Sequence, residues 1–165
     1  EIAQCLVGSE MCIRDRDLCT GCKSCVLACM LKHNKDYDMY TLDLENIDND
    51  SRGHIELDSK HNNPVPILCR HCDEPECVLA CMSGAMHKDS ESGIVSYDEE
   101  KCGSCYMCVM SCPYGLLKPD DRSKQNILKC DLCKDEEYPR CVANCPSGAI
   151  ELQKEENDEL CSVRS

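Results

Sequence analysis

The sequence predicts a small α+β protein whose interior is built around bound metal rather than around large side chains. Three observations predict this fold class. Cysteine accounts for 19 of the 165 residues, and Trp and Phe are absent. Most of the cysteines fall into four short runs. The segments that close the runs, VLACMLKHNKD, VLACMSGAMHKD, VMSCPYGLLKPD and VANCPSGAIELQ, repeat one unit with a short apolar helical turn, followed in two copies by a short strand.

The first sixteen residues, EIAQCLVGSEMCIRDR, contain Cys5 and Cys12 but do not resemble the rest of the chain. Back-translation of residues 5–16 yields a string that resembles a transposase sequencing-library adapter. We therefore expect residues 1–16 to be an adapter-derived segment rather than native protein, and Cys5 and Cys12 to take no part in the chemistry. The alternative is a real N-terminal extension that carries two idle thiols.

Sixteen cysteines form the four runs. The first and third runs have the spacing C-x2-C-x2-C-x3-C, with which bacterial ferredoxins hold [4Fe-4S] clusters through thiolates. The second and fourth runs keep the opening C-x2-C and the closing C-x3-C but lengthen the gap between them. In chain order, the runs are Cys19, Cys22, Cys25 and Cys29; Cys69, Cys72, Cys77 and Cys81; Cys102, Cys105, Cys108 and Cys112; and Cys130, Cys133, Cys141 and Cys145.

This spacing has a physical reason. A tight loop presents two thiolates to one cluster, and a third can arrive from a loop of variable length. The fourth lies on the helix that follows and ligates the neighbouring cluster of a pair. Cys112-Pro113 and Cys145-Pro146 complete the ferredoxin pattern in the third and fourth runs.

Two other uses of these cysteines are a disulfide framework and structural zinc. A disulfide framework does not require the triple C-x2-C-x2-C spacing. Zinc takes four thiolates in two pairs. That arrangement does not explain the third cysteine of a run, or a fourth cysteine that directly precedes proline. A zinc-binding structural adaptor of a multisubunit complex is therefore the alternative function.

The segments between the runs predict strands. Residues 33–63 carry no ligand pattern, and they predict an insertion with a strand near residues 55–57. This insertion is either a partner-docking element or a loop that covers the clusters. After the second run, Asp89 to Gly93 predicts a turn between strands at Met86 and at residues 94–97. His71 lies inside the second run, and because all four cysteines are present we expect it to lie beside a cluster rather than to bind it.

The hairpin joins the second and third runs into one contiguous two-cluster unit, residues 64–119. The first and fourth runs must then pair across it, in an outer unit made of residues 17–32 and 120–153. Residues 154–165 form a charged tail, and we expect its Cys161 to be an idle thiol.

Crossed ligation between paired runs predicts four [4Fe-4S] clusters; the spacing predicts three ligands of each, and the crossing follows the two-cluster rule. In the inner unit, the predicted sites are Cys69, Cys72, Cys77 with Cys112, and Cys102, Cys105, Cys108 with Cys81. In the outer unit, they are Cys19, Cys22, Cys25 with Cys145, and Cys130, Cys133, Cys141 with Cys29.

Four motifs in this order, with PVPILCRHCDEPECVLAC and YDEEKCGSCYMCVMSCPYG, resemble the four-cluster electron-transfer subunits of anaerobic oxidoreductases. That family includes subunits of the dimethyl sulfoxide reductase type and formate-hydrogen lyase components. CVLACMLKHN and MCVMSCPYG resemble most the ferredoxin-like protein associated with carbon monoxide dehydrogenase. The resemblance covers nearly everything after residue 16. It implies tandem ferredoxin-like dicluster units of the βαβ type, one inserted into the other.

The same resemblance implies a relay of single electrons between a catalytic partner and another acceptor. The partner would be a carbon monoxide dehydrogenase, a hydrogenase, a formate dehydrogenase or a molybdopterin oxidoreductase. The chain has no nucleophile constellation and no glycine-rich phosphate loop. We therefore expect an electron-transfer subunit rather than a catalyst.

The net charge of the chain is −13, and clusters held by four thiolates add negative charge. This negative charge argues against nucleic acid as a ligand. It favours a hetero-oligomer with a redox partner that has a basic docking face. No apolar run approaches the length of a membrane span. Thiolate clusters assemble in a reducing compartment, which favours the cytoplasm. Residues 1–16 stand where the native N-terminus would be, so the sequence does not decide whether the protein has an export signal.

Overall fold

The computed structural model describes residues 10–13, 16–34, 40, 51–121, 123 and 125–153. Short strands and short helices alternate in it, which confirms the predicted α+β class. None of the helices in these ranges is long and apolar enough to cross a membrane. The helices are α1 (Ser24–His33), α2 (Glu76–Leu79), α3 (Met107–Ser111) and α4 (Arg140–Ala143), with 3-10 turns at Arg16–Leu18 and Glu99–Lys101. The strands are β1 (Glu10–Ile13), β2 (His54–Leu57), β3 (Pro64–Ile67), β4 (Met86–Lys88), β5 (Val95–Tyr97), β6 (Lys118–Pro119), β7 (Ile127–Leu128) and β8 (Ile150–Gln153).

Within the described ranges, the strands form antiparallel pairs rather than one sheet: β1 with β8, β2 with β3, β4 with β5, and β6 with β7. In the first pair, Glu10 lies opposite Gln153 and Ile13 opposite Ile150. The backbone of residues 10–13 thus forms a strand inside the segment that we expect to be adapter-derived. Backbone hydrogen bonds make this pairing, and any residue other than proline can supply them. The origin of residues 1–16 therefore stays a prediction.

The predicted hairpin between the second and third runs is confirmed. Met86 lies opposite Tyr97 in the β4–β5 pair. The Asp89 N–H donates to the carbonyl of Ile94 at 3.0 Å, and the Gly93 N–H donates to the carbonyl of Asp89 at 3.0 Å. Gly93 has a φ of 69°, a left-handed conformation that glycine adopts without steric penalty.

The strand predicted near residues 55–57 is also confirmed, as β2. The strand predicted by GAIEL is confirmed as β8. Residues 35–39 and 41–50 of the insertion lie outside the described residues, as do residues 154–165 with Cys161.

Buried side chains form two clusters that share no residue. The first cluster joins the first and fourth runs, and α1 packs against α4 in it. The second lies in the middle of the chain, where α2 packs against α3. Cysteines belong to both clusters, so thiols and apolar side chains share the interior. The first consists of Cys25, Val26, Met30, Leu132, Cys141 and Ile150, and the second of Met86, Val95, Cys108, Leu117 and Ile127.

Candidate metal centres

The loop between the first two cysteines contains a left-handed residue at the same position in all four runs. Its second residue is left-handed in each: Gly21 (φ 68°), His71 (φ 50°), Ser104 (φ 53°) and Leu132 (φ 57°). A residue other than glycine pays about 1 to 2 kcal/mol for this conformation. A strained conformation that recurs at equivalent positions indicates that the loops serve a site, because strain persists only where the surroundings impose it.

The third cysteine of every run lies on a helix, and the fourth lies on it or just beyond it. Cys25 and Cys29 both lie on α1. After the other three helices the chain turns back at a glycine, whose N–H donates to the carbonyl of the fourth cysteine. These bonds join Gly84 to Cys81 at 3.4 Å, Gly115 to Cys112 at 3.2 Å and Gly148 to Cys145 at 3.3 Å.

One group of thiols surrounds a cavity in the middle of the chain. Burial raises the pKa of Cys77 to about 11, and the nearby thiols of Cys69, Cys112 and Cys72 raise it further, against the opposite effect of Lys129. The remaining wall is mostly apolar, with Pro75, Val95, Tyr114, Leu116 and Leu117 among its residues. The cysteines that line the cavity are Cys69, Cys72, Cys77 and Cys112.

A second group surrounds a cavity between the two ends of the described chain. Burial raises the pKa of Cys25 to about 11, and the thiols of Cys145, Cys19 and Cys22 raise it further. Ile55, Pro66 and Ile150 add apolar wall. The cysteines that line this cavity are Cys19, Cys22, Cys25 and Cys145.

The remaining eight cysteines fall into two further neighbourhoods. In the first, burial raises the pKa of Cys108, as do the thiols of Cys81 and Cys102. Cys105 is exposed. In the second, burial raises the pKa of Cys141 to about 12, as do the thiols of Cys29, Cys133 and Cys25. Burial raises the pKa of Cys130 as well, and Cys69 and Cys29 contribute.

These groups suit a metal that binds sulfur. None of the sixteen cysteines of the runs forms a disulfide bond within the described residues. Burial and neighbouring thiols disfavour a thiolate charge unless a cation compensates it, and a bound metal ion deprotonates its thiols outright. The donors therefore fit a [4Fe-4S] cluster. Four thiolates also suit zinc, so the donor set by itself does not separate the two.

Hydrogen-bond donors surround several of the sulfurs. The Met86 N–H donates to Cys81 Sγ at 3.4 Å, and the Ser104 N–H donates to Cys102 Sγ at 3.5 Å. Donors of this kind stabilise electron-rich sulfur and tune the potential of a cluster.

His71 lies in the wall of the first cavity and is 3% exposed. The Val95 N–H donates to its Nδ1 at 3.0 Å, so the proton of the neutral ring is on Nε2. Nε2 is buried and has no hydrogen-bond partner among the described residues. Burial lowers the pKa of His71 to about 3, and the nearby charge of Lys129 lowers it further. The ring is thus neutral, with a donor that protein atoms leave unused.

Sequence reasoning missed three residues that lie against these thiols. His33 Nε2 lies 3.3 Å from Asp131 Oδ1, and both side chains cluster with the thiol of Cys133. Lys129 is buried beside Cys69. The pattern offered no signal for the contact of His33 with Asp131 or of Lys129 with Cys69, since each joins residues from different runs or elements.

Comparison with known proteins separates iron from zinc. Residues 61–155 match the family described as 4Fe-4S dicluster domain. The B subunit of anaerobic dimethyl sulfoxide reductase from Escherichia coli (strain K12) is 38% identical over 162 residues, which cover 87% of this chain and 76% of that protein. Electron transport protein HydN of the same strain is 31% identical over 153 residues, which cover 84% of each.

A solved structure also aligns with the chain. The active site complex BamBC of benzoyl coenzyme A reductase as isolated is 28% identical, with a TM-score of 0.47, over 90% of this chain and 80% of that chain. The family match and the relatives favour iron–sulfur clusters over structural zinc. The chain belongs to the 4Fe-4S dicluster family and is an iron–sulfur electron-transfer subunit of the anaerobic oxidoreductase type.

Proposed function

We propose that the chain carries four [4Fe-4S] clusters and that the sixteen cysteines of the runs ligate them in the crossed pattern. The two lined cavities support two of the sets, and the pKa effects among thiols support the other two. Cys105 is included in its set because it lies between Cys102 and Cys108 in the third run. The sets are Cys69, Cys72, Cys77, Cys112; Cys102, Cys105, Cys108, Cys81; Cys19, Cys22, Cys25, Cys145; and Cys130, Cys133, Cys141, Cys29.

The proposal includes an inner unit, residues 64–119, inserted into an outer unit of residues 17–32 and 120–153. The two separate clusters of buried side chains support this division, since one joins the first and fourth runs. Ile127 departs from the proposed boundary, because it packs with the second cluster although it follows residue 119. Residues 33–63 would be the partner-docking insertion. Residues 1–16 and 154–165 lie outside the proposed bounds of both units, although the backbone of residues 10–13 pairs with β8 of the outer unit.

The chain's function in this proposal is to relay single electrons between a catalytic partner and a second acceptor. The observation that carries it is that three of the thiol groups adjoin one another. Cys25 and Cys29, which belong to two groups, lie one turn apart on α1, and the Lys129 side chain contacts both Cys69 Sγ and the Cys130 carbonyl. Bound clusters would supply reversible one-electron chemistry. The protein's own part is to hold the thiolates, exclude water with apolar walls and place hydrogen-bond donors against sulfur.

Charge supports a redox protein as the partner. The net charge is −13, and opposite charge on a docking face steers the encounter of transient redox partners. A carbon monoxide dehydrogenase, hydrogenase, formate dehydrogenase or molybdopterin oxidoreductase, with a basic docking face, is the proposed partner in a hetero-oligomer. The similarity to the B subunit of dimethyl sulfoxide reductase supports the last of these classes. The cytoplasm is the proposed compartment, because cluster assembly needs reducing conditions.

The test is the inorganic content of the protein, expressed and purified without oxygen. We expect about sixteen irons and about sixteen acid-labile sulfides per chain, with broad visible absorption. Zinc in place of iron, without sulfide, would contradict the proposal and would favour the zinc-binding structural adaptor instead. Electron transfer is then tested by reducing the protein with dithionite and measuring reoxidation by an added redox partner.

A further inference from the structure

Lys129 lies where two of the thiol groups meet. Its side chain is 6% exposed. Nζ donates to Cys69 Sγ at 3.2 Å and to the carbonyl of Cys130 at 2.7 Å. Cys69 belongs to one proposed cluster of the inner unit, and Cys130 belongs to one of the outer unit. One cationic side chain thus contacts both units.

Within the described part of the chain, Lys129 Nζ forms no ion pair with a carboxylate. Among the residues that the structure describes, the two partners of Nζ are the Cys69 sulfur and the Cys130 carbonyl. Burying an ammonium group is costly unless an opposite charge lies close to it. The thiolate of Cys69 is the anion that the geometry supplies, so the cation and the metal-bound sulfur stabilise each other.

Lys129 Nζ thus contacts the sulfur of a proposed ligand of one cluster and the backbone of a proposed ligand of the other. The backbone of Lys129 is held in place by Arg52, whose Nε–H donates to the Lys129 carbonyl at 2.9 Å.

We propose that Lys129 is a positioning residue that raises the reduction potentials of the two clusters at this junction, the one held by Cys69 more than the one held by Cys130. This inference rests on the proposed function, because it takes Cys69 and Cys130 as ligands of different clusters. One-electron reduction adds one negative charge to a cluster. A cation in contact with a ligand sulfur favours the reduced form, and an N–H···S hydrogen bond acts in the same direction.

The experiment compares Lys129→Met with Lys129→Arg in the full chain, loaded with clusters. Potentials are measured by anaerobic titration with dithionite, followed by electron paramagnetic resonance. Lys101→Met is the matched control, because Lys101 also directly precedes the first cysteine of a run but is exposed. Iron and sulfide per chain are determined for every variant.

We expect Lys129→Met to keep its iron and to lower the potential of one or two clusters. The reduction equilibrium of the cluster held by Cys69 should shift at least tenfold, which is about 59 mV for a one-electron couple. Lys129→Arg, which keeps the charge, should shift it less, and Lys101→Met should leave all potentials as in the wild type. If Lys129→Met does not hold its iron, Lys129→Gln is titrated instead, with the same lowering expected.

Unchanged potentials in an iron-loaded variant without the charge would overturn the role of Lys129, as would an equal shift in Lys101→Met. Neither result would affect the proposed clusters. A wild-type protein that contains zinc and no sulfide would overturn the proposed function instead, so the two failures are distinguishable.

Discussion

Cys25 and Cys145 line one cavity although they come from the first and the last run of the chain. Burial raises the pKa of Cys25 most, and among the neighbouring thiols that of Cys145 raises it most. Cys29 lies one turn further along the same helix, yet its thiol interacts with those of Cys133 and Cys141. Two cysteines of one helix thus belong to different groups, as crossed ligation requires.

Paired substitutions test this crossing by iron content. Cys25→Ala and Cys145→Ala should each remove one cluster, about four irons, and the double variant should also remove about four, because both residues hold the same cluster. Cys25→Ala combined with Cys29→Ala should remove about eight. Iron and sulfide per chain are the measurement, and Cys161→Ala in the tail is the control.

The reverse result would favour uncrossed ligation. In that case the Cys25 and Cys145 pair would lose about eight irons and the Cys25 and Cys29 pair about four. A loss of iron in Cys161→Ala would show that the tail also contributes a ligand.

Local patterns predicted the elements that local chemistry determines. The β4–β5 hairpin follows from turn residues at both ends of residues 89–93, and the loops of the four runs follow from cysteine spacing. Contacts between distant segments left no local signal. Lys129 precedes a run in the same way as Lys101, yet the first is buried against Cys69 and the second is exposed.

Met30 and Met82 also show that a local sequence motif does not predict burial. Both directly follow the fourth cysteine of a run, in the shared sequence VLACM. Met30 is fully buried, at 0% exposed, because α1 continues to His33 and carries it into the first cluster. Met82 is 93% exposed, because α2 ends at Leu79 and the chain turns at Gly84. The length of the helix decides the burial, and the shared motif does not encode that length.

Alanine substitutions at these two methionines should therefore have different effects on stability. Met30→Ala removes a buried side chain and should lower the free energy of unfolding by about 2 to 5 kcal/mol. Met82→Ala should change it by less than about 0.5 kcal/mol. Because loss of clusters makes unfolding irreversible, the measurement is the rate at which visible absorption bleaches in guanidinium chloride without oxygen. Equal bleaching rates in the two variants would mean that Met30 does not support the fold.

Removal of iron should unfold the described part of the chain. Cysteines form part of both buried clusters, and Trp and Phe are absent from the sequence. When a metal site forms only in the folded state, the free energy of metal binding contributes to folding. Treatment with an iron chelator under acid and reducing conditions, followed by return to neutral pH, should abolish the helical circular dichroism signal. The control omits the chelator and restores iron and sulfide, and a helical signal that persists in iron-free protein would contradict the prediction.

The unused donor of His71 predicts a shift in one cluster potential. His71 lines the cavity of Cys69, Cys72, Cys77 and Cys112, and the proton of its neutral ring is on Nε2. A hydrogen bond from this N–H to cluster sulfur would favour the reduced form. His71→Leu should therefore lower the potential of that cluster by the equivalent of about 1.5 to 3 kcal/mol, the range for a hydrogen bond to a charged group.

Potentiometric titration of His71→Leu measures this shift, with iron content as a check on loading. His61→Leu is the matched control, because His61 is exposed and pairs with Asp58 at the surface. His71→Asn is the second variant, since asparagine tolerates the left-handed backbone of residue 71 better than leucine does. Potentials unchanged in both substitutions of His71 would mean that its Nε2 proton does not reach the cluster. A shift in His71→Leu that His71→Asn partly restores would identify the hydrogen bond, rather than the packing of the ring, as the cause.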